Sequence, residues 1–153
     1  GLVTVTGGKW TTYRAMAEDV LQQCVAHRLV SFRQAAQTHH LKLVGSGNQA
    51  PVSICEAQGL HGYGSEQAWV RALPGNAVWL CEGLTEAMVR FAARYEYAIT
   101  VEDVLARRSR LLFLDAQLAE TVAERVAQIL FEETALDPQL QEFLKLSQHY
   151  KLV

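Results

Sequence analysis

The hydrophobic period changes in the middle of the segment Val3 to Arg14, and that change limits what the chain can fold into there. Val3 and Val5 alternate with Thr4 and Thr6, the two-residue repeat of a short β-strand. Gly7 and Gly8 come next; glycines accept positive φ and let a ligand approach the backbone closely. From Tyr13 the repeat becomes helical, with Met16, Ala17, Val20, Leu21, Cys24 and Val25 on one face. The expectation is a strand, a paired-glycine turn and a helix from about Thr12 into the low thirties. Thr11 or Thr12 is the N-cap candidate, with Glu18 and Asp19 early in the helix.

Such a junction points backbone N–H groups and the positive end of a helix dipole at one spot. Lys9 adds a full positive charge. The arrangement suits an anion: a phosphate, a carboxylate, or a reduced flavin negative near N1 and the C2 oxygen. The plain alternative is a strand-to-helix turn with an exposed lysine.

The last seventy residues are punctuated as four helices. Thr85 caps the first, which turns Met88, Val89, Phe91, Ala92 and Tyr95 inward. Thr100 and Asp103 form a shortened capping box, and Val101, Val104, Leu105, Leu111 and Leu112 supply apolar surface. Asp115 opens a long helix with Leu118, Ala119, Val122, Val126, Ile129 and Leu130 at helical spacing. Asp137-Pro138 reads as an N-cap followed by proline at the first helical position, with Leu140, Phe143, Leu144 and Tyr150 toward the core. The fold class is therefore mainly α: a helical bundle with short loops, preceded by the strand–turn–helix segment.

The middle is less regular. His39 and His40 are adjacent, so on a helix they point apart, and they lack a third ligand at useful spacing. Leu41 to Val44 fits a short strand or a helix end. Gly45 to Ala50 formally matches G-x-G-x-x-A, but Pro51 follows at once and no βαβ unit surrounds it, so a connector is the better reading. His61 sits in that glycine-rich stretch and reads as a surface residue. Ser65 caps a short helix over about 66–73 that buries Trp69, Val70 and Leu73, and Pro74-Gly75-Asn76 ends it. Ala77 to Cys81 is a short apolar run of open type. The organisation expected is 1–44 as strand, turn and helix, 45–64 as connector and 65–153 as helical domain.

Charge and cysteine usage narrow the function. A net charge of −2 argues against general nucleic-acid or anionic-membrane binding. Half the residues are hydrophobic and 20% are charged, an ordinary globular balance, yet no apolar run approaches a membrane span. No secretory leader is visible. Cys24, Cys55 and Cys81 form no C-x-x-C, which points to reduced, buried thiols in a cytoplasmic compartment. Arg107, Arg108 and Arg110 are the one basic cluster, and pairing with Glu102, Asp103 and Asp115 accounts for them. No catalytic set and no metal site stands out. The chain opens at Gly1 and enters a strand with few partner strands in view, as expected of a piece of something longer.

Two stretches carry a family resemblance. Gly7-Gly8-Lys9-Trp10-Thr11-Thr12-Tyr13-Arg14, continued by Met16-Ala17-Glu18-Asp19, resembles the segment that closes the flavin domain of FAD-dependent glycerol-3-phosphate dehydrogenases. Glu96 to Leu111 resembles the signature of that family's C-terminal helical domain. The resemblance implies a parent enzyme that oxidises sn-glycerol 3-phosphate to dihydroxyacetone phosphate by hydride transfer to FAD, and passes electrons to quinone or oxygen. It implies that Gly7, Gly8, Lys9, Trp10, Thr11 and Thr12 lie beside the flavin, with 65–153 as a helical cap. The implied partner is the N-terminal FAD and substrate domain of the same parent chain. Peripheral attachment to the inner face of the cytoplasmic membrane and homo-oligomer formation are further implications. On this reading the chain alone neither holds FAD nor turns over substrate. The competing reading is a standalone helical interaction module. The first helix discriminates: in a fragment its apolar face has lost its partner, whereas in an evolved module it is well packed.

Overall fold

The computed structural model describes residues 2–47, 53 and 59–151, and these fall into two compact units, 1–43 and 44–153. Val52, Cys55 and the Asn48–Ala50 part of the formal dinucleotide match lie outside the described residues.

In the first unit, residues 2–9 are irregular and no strand forms, against expectation. Val3 and Val5 stay exposed, and a strand without a sheet leaves its backbone unpaired, so alternation alone does not make one. A 3₁₀ turn, Trp10–Thr12, leads into α1, Tyr13–Ala26. Helix α1 ends earlier than the periodicity suggests. Arg28 takes a left-handed φ of 56°, and the Leu29 amide donates to the Cys24 carbonyl at 2.8 Å, closing the last turn. Arg14 pairs with Glu18 one turn on at 2.7 Å and also donates to the Thr38 hydroxyl. Thr38–His40 is a 3₁₀ turn whose two imidazoles lie 3.8 Å apart centre to centre, so they face each other rather than diverging; both are exposed.

The second unit holds the core. A 3₁₀ stretch over Leu60–Glu66 runs into α2, Gln67–Ala72. Val70 is fully buried and Leu73 nearly so, but Trp69 is 59% exposed, and Ser65 makes no capping bond. The apolar run after the Pro74 turn becomes β1, Trp79–Cys81, paired antiparallel with β2, Leu84–Thr85. Thr85 then caps α3, Glu86–Tyr95, accepting from the Met88 amide at 3.4 Å. Met88, Val89, Phe91 and Ala92 are buried as expected; Tyr95 is 54% exposed. Tyr97, at φ 59°, closes α3: the amides of Glu96 and Ala98 both donate to the Ala92 carbonyl.

The Thr100–Asp103 box is complete. Asp103 accepts from the Ile99 and Thr100 amides at 3.0 and 2.9 Å, and the Thr100 hydroxyl accepts from the Asp103 amide. The helix it opens is π-wound over Asp103–Arg108, and Arg110, at φ 58°, separates it from α4, Leu111–Leu114. Asp115 caps α5, Ala116–Thr134, through the Leu118 amide at 2.9 Å. Ala119, Val122, Val126, Ile129 and Leu130 face inward along α5, while Leu118 sits at the rim. Asp137 and Pro138 do not start the last helix. Asp137 accepts from the Gln139 amide, the Pro138 carbonyl accepts from the Val101 amide, and α6 runs Leu140–Ser147. Phe143 is buried and Tyr150 is 44% exposed.

Helix α5 packs on α3, α4, α6 and β1, so the core of this unit lies along it. Burying one large apolar side chain such as Phe91 or Phe143 stabilises by roughly 1.5–3 kcal/mol. Opposite charges line the α3–α5 contact: Arg90 bonds Glu132 and Glu133, Arg94 bonds Glu133, and Arg125 bonds Glu86, each at 2.6–2.7 Å. The fold is mainly α with one small hairpin among the described residues.

Candidate functional site

Gly7 and Gly8 both adopt positive φ, 77° and 103°, which turns the chain from the irregular arm into the 3₁₀ turn. A side chain at Gly7 would point into open space, so the backbone there is approachable. At Gly8 the space is already taken: a Cβ would lie 2.2 Å from the Met16 sulfur. Met16 thus folds back over the turn. The Thr12 hydroxyl holds it closed, donating to the Lys9 carbonyl at 2.9 Å and to the Met16 sulfur at 3.6 Å. Thr12 is the residue at the N-cap position, but its oxygen bonds backward and caps no amide of α1.

The first amides of this turn lack intrahelical acceptors by helix geometry. The Lys9 ammonium has no acidic partner among the described residues. Gly7, Gly8, Lys9 and Trp10 line an open groove of about 640 Å³ whose far side is the Met16–Leu21 face of α1. Thr11 and Thr12 belong to the turn without lining the groove. Trp10 is 87% exposed and its ring leans on Tyr13 at 5.8 Å. No residue of α1 is fully buried: on the apolar face predicted from the repeat, Met16, Val20, Cys24 and Val25 are half-buried and Tyr13, Ala17 and Leu21 are exposed. The chemistry on offer is a positive, amide-rich turn beside an apolar wall, which fits a flat, partly anionic ring system.

The second unit has its own cavity of about 410 Å³, walled by the 3₁₀ stretch, α3 and the π-wound helix. His61, expected on the surface, is half-buried and lines it with Tyr63 and Glu66. Burial pushes the Tyr63 phenol up to about 12, with Glu96 adding to the rise and Arg108 opposing it. Sequence spacing gives no sign of this cavity, because its walls come from separate segments; the glycines around His61 were its only local trace.

The basic cluster is partly paired as expected. Arg107 bonds Glu102 and Asp103; Arg108 bonds Glu96 and not Asp115, which is committed to its cap. Arg110 has no acidic partner among the described residues. Cys24 and Cys81 are free and half-buried, and burial pushes the Cys81 thiol up. Among the described residues no three His, Cys, Asp or Glu groups come together as a metal site, and no helix is long and apolar enough to cross a membrane.

The first unit thus offers an approachable cationic turn, and the second a helical bundle with a cavity of its own. The chain belongs to the family described as the C-terminal domain of alpha-glycerophosphate oxidase, whose profile matches residues 36–141. It is 34% identical over 173 residues to a mitochondrial glycerol-3-phosphate dehydrogenase of Arabidopsis thaliana, covering 93% of this chain and 28% of that protein. It is 34% identical to a probable mitochondrial glycerol-3-phosphate dehydrogenase of Dictyostelium discoideum, covering 98% of this chain and 26% of that one. The human mitochondrial glycerol-3-phosphate dehydrogenase is 32% identical, with 90% and 22% covered. The chain thus spans about a quarter of the length of the curated relatives it matches. No solved structure matches it.

Proposed function

We propose that this chain is the C-terminal part of a flavoprotein that oxidises sn-glycerol 3-phosphate to dihydroxyacetone phosphate with FAD. FAD would supply the hydride acceptor. Gly7 leaves room for an aromatic ring system against the backbone, while Met16 packs over its neighbour Gly8. Lys9 and the amides of Trp10 and Thr11 would offer positive charge to a reduced flavin lying against this turn. Residues 65–153 act as a helical cap whose partner is the N-terminal FAD and substrate domain of the same parent chain, with quinone or oxygen as final acceptor. The cytoplasmic compartment and peripheral membrane attachment belong to the same proposal.

The observation that carries it is the uncovered apolar face of α1 beside the Gly7–Lys9 turn. An apolar helix face left open within its own unit suits a partner supplied by another part of the parent protein.

The test is to read the coding DNA upstream of the Gly1 codon and express the whole frame. The expected product is yellow, holds FAD and reduces an artificial electron acceptor when given glycerol 3-phosphate. The chain from Gly1 alone is expected to be colourless and inactive. A start codon directly before Gly1, or flavin retained by the isolated chain, would overturn the proposal.

A further inference from the structure

The cavity in the second unit lies outside the Gly7–Thr12 turn and plays no part in the proposed flavin contact. Its polar side chains are unevenly satisfied. Arg108 donates from all three nitrogens: its Nε bonds the Glu96 carboxylate at 3.2 Å, Nη1 bonds the Asp103 carbonyl at 3.3 Å, and Nη2 bonds the Glu96 carbonyl. The Arg108 and Glu96 charges therefore cancel. Among the described residues, Glu66 has no ion pair or hydrogen bond, and neither do the His61 imidazole and the Tyr63 hydroxyl. The Glu66 carboxylate sits at the Gly45 wall, with Oε2 3.8 Å from where a Cβ of that glycine would be.

Half-buried polar groups complete their hydrogen bonding with solvent or with a bound molecule, and three of them line this one cavity. The floor is apolar, formed by Leu84, Met88 and Ala92, and the volume falls in the range of small-molecule sites. One wall is the π-wound turn over Asp103–Arg108, a winding that recurs at functional sites. Glu66, a carboxylate without an ion pair among the described residues, selects a cation, while Tyr63 and His61 can each donate to or accept from a hydroxyl.

We propose that this cavity binds a small organic cation carrying a primary ammonium and a hydroxyl group. The ammonium pairs with Glu66, the hydroxyl meets Tyr63 and His61, and the carbon chain lies on Leu84 and Met88.

Ethanolamine is the probe, titrated calorimetrically into the intact chain with sodium chloride at matched ionic strength as reference. Saturable one-to-one binding is expected. Glu66→Gln weakens it about tenfold or more, and Tyr63→Phe weakens it several-fold. Both substitutions preserve shape, and unchanged thermal unfolding shows that the variants fold. Ethylene glycol, which keeps the hydroxyl and lacks the charge, is expected not to bind. No saturable binding up to about 10 mM overturns the proposal. So does ethanolamine binding that Glu66→Gln leaves unaltered, or ethylene glycol binding of equal strength.

Discussion

Single residues fix the two turns that matter most. Gly64 has φ 53° and ψ −125°, a region open only to glycine, and a Cβ there would lie 1.9 Å from the Gly45 carbonyl oxygen. Gly64→Ala is therefore expected to destabilise the second unit by about 1–3 kcal/mol, read as a lower midpoint in chemical denaturation. Gly7 differs, because nothing crowds it. In the isolated chain, Gly7→Ala costs only the strain of a left-handed alanine, about 1 kcal/mol, and leaves helix content unaltered. In the whole frame the added methyl would stand where the proposed flavin approaches. Flavin retained after purification should fall sharply in the same variant, by absorbance per protein. Retention equal to the wild type would remove Gly7 from the site.

At the scale of elements, the signals that survived are those a short peptide can satisfy by itself. Thr85, Asp115 and the Thr100–Asp103 pair cap helices as their sequence context implies, because each bond closes within three or four residues. Asp103→Ala removes two acceptor bonds and should cost about 1 kcal/mol, measured by thermal unfolding. The misread elements depended on distant partners. Val3–Thr6 had the alternation of a strand and no sheet to join. Asp137-Pro138 had the chemistry of a helix start, yet the Pro138 carbonyl bonds Val101, delaying α6 to Leu140. Trp69 and Tyr95 lie at helical spacing with buried residues but on the edge of the face, leaning toward each other with rings 6.2 Å apart. The Gly7-Gly8 turn was legible because paired glycines state their φ locally. The second-unit cavity was not, since residues 61–66 meet 96 and 108 only after folding.

For the molecule as a whole, the α3–α5 clasp sets the response to acid. The hydrogen bond from Arg94, with help from Arg90, holds the Glu133 carboxyl below its ordinary 4.5 against the effect of burial. The bond from Arg125 does the same for Glu86. A carboxyl whose folded value is depressed contributes stability that is fully present above its ordinary value and is lost as pH falls through the depressed one. Stability should thus be flat above about pH 5 and decline below 4.5, followed by denaturant titration across pH. Glu133→Gln breaks charged bonds to Arg90 and Arg94 and should cost on the order of 2 kcal/mol near neutrality, with the difference from wild type shrinking in acid. An undiminished difference in acid would mean that the clasp acts through packing rather than charge.

Helix α5 begins at Ala116, yet it is the surface on which α3, β1 and α4 rest. During synthesis those earlier elements leave the ribosome before the helix that covers them exists. Until Thr134 has emerged, Phe91, Val101 and Leu112 lack the helix that completes their burial, and a nascent chain in that state exposes apolar surface. The core of the second unit is therefore complete only once α5 is in place. A premature stop anywhere before residue 134 leaves an aggregation-prone strand of message product rather than a smaller working domain.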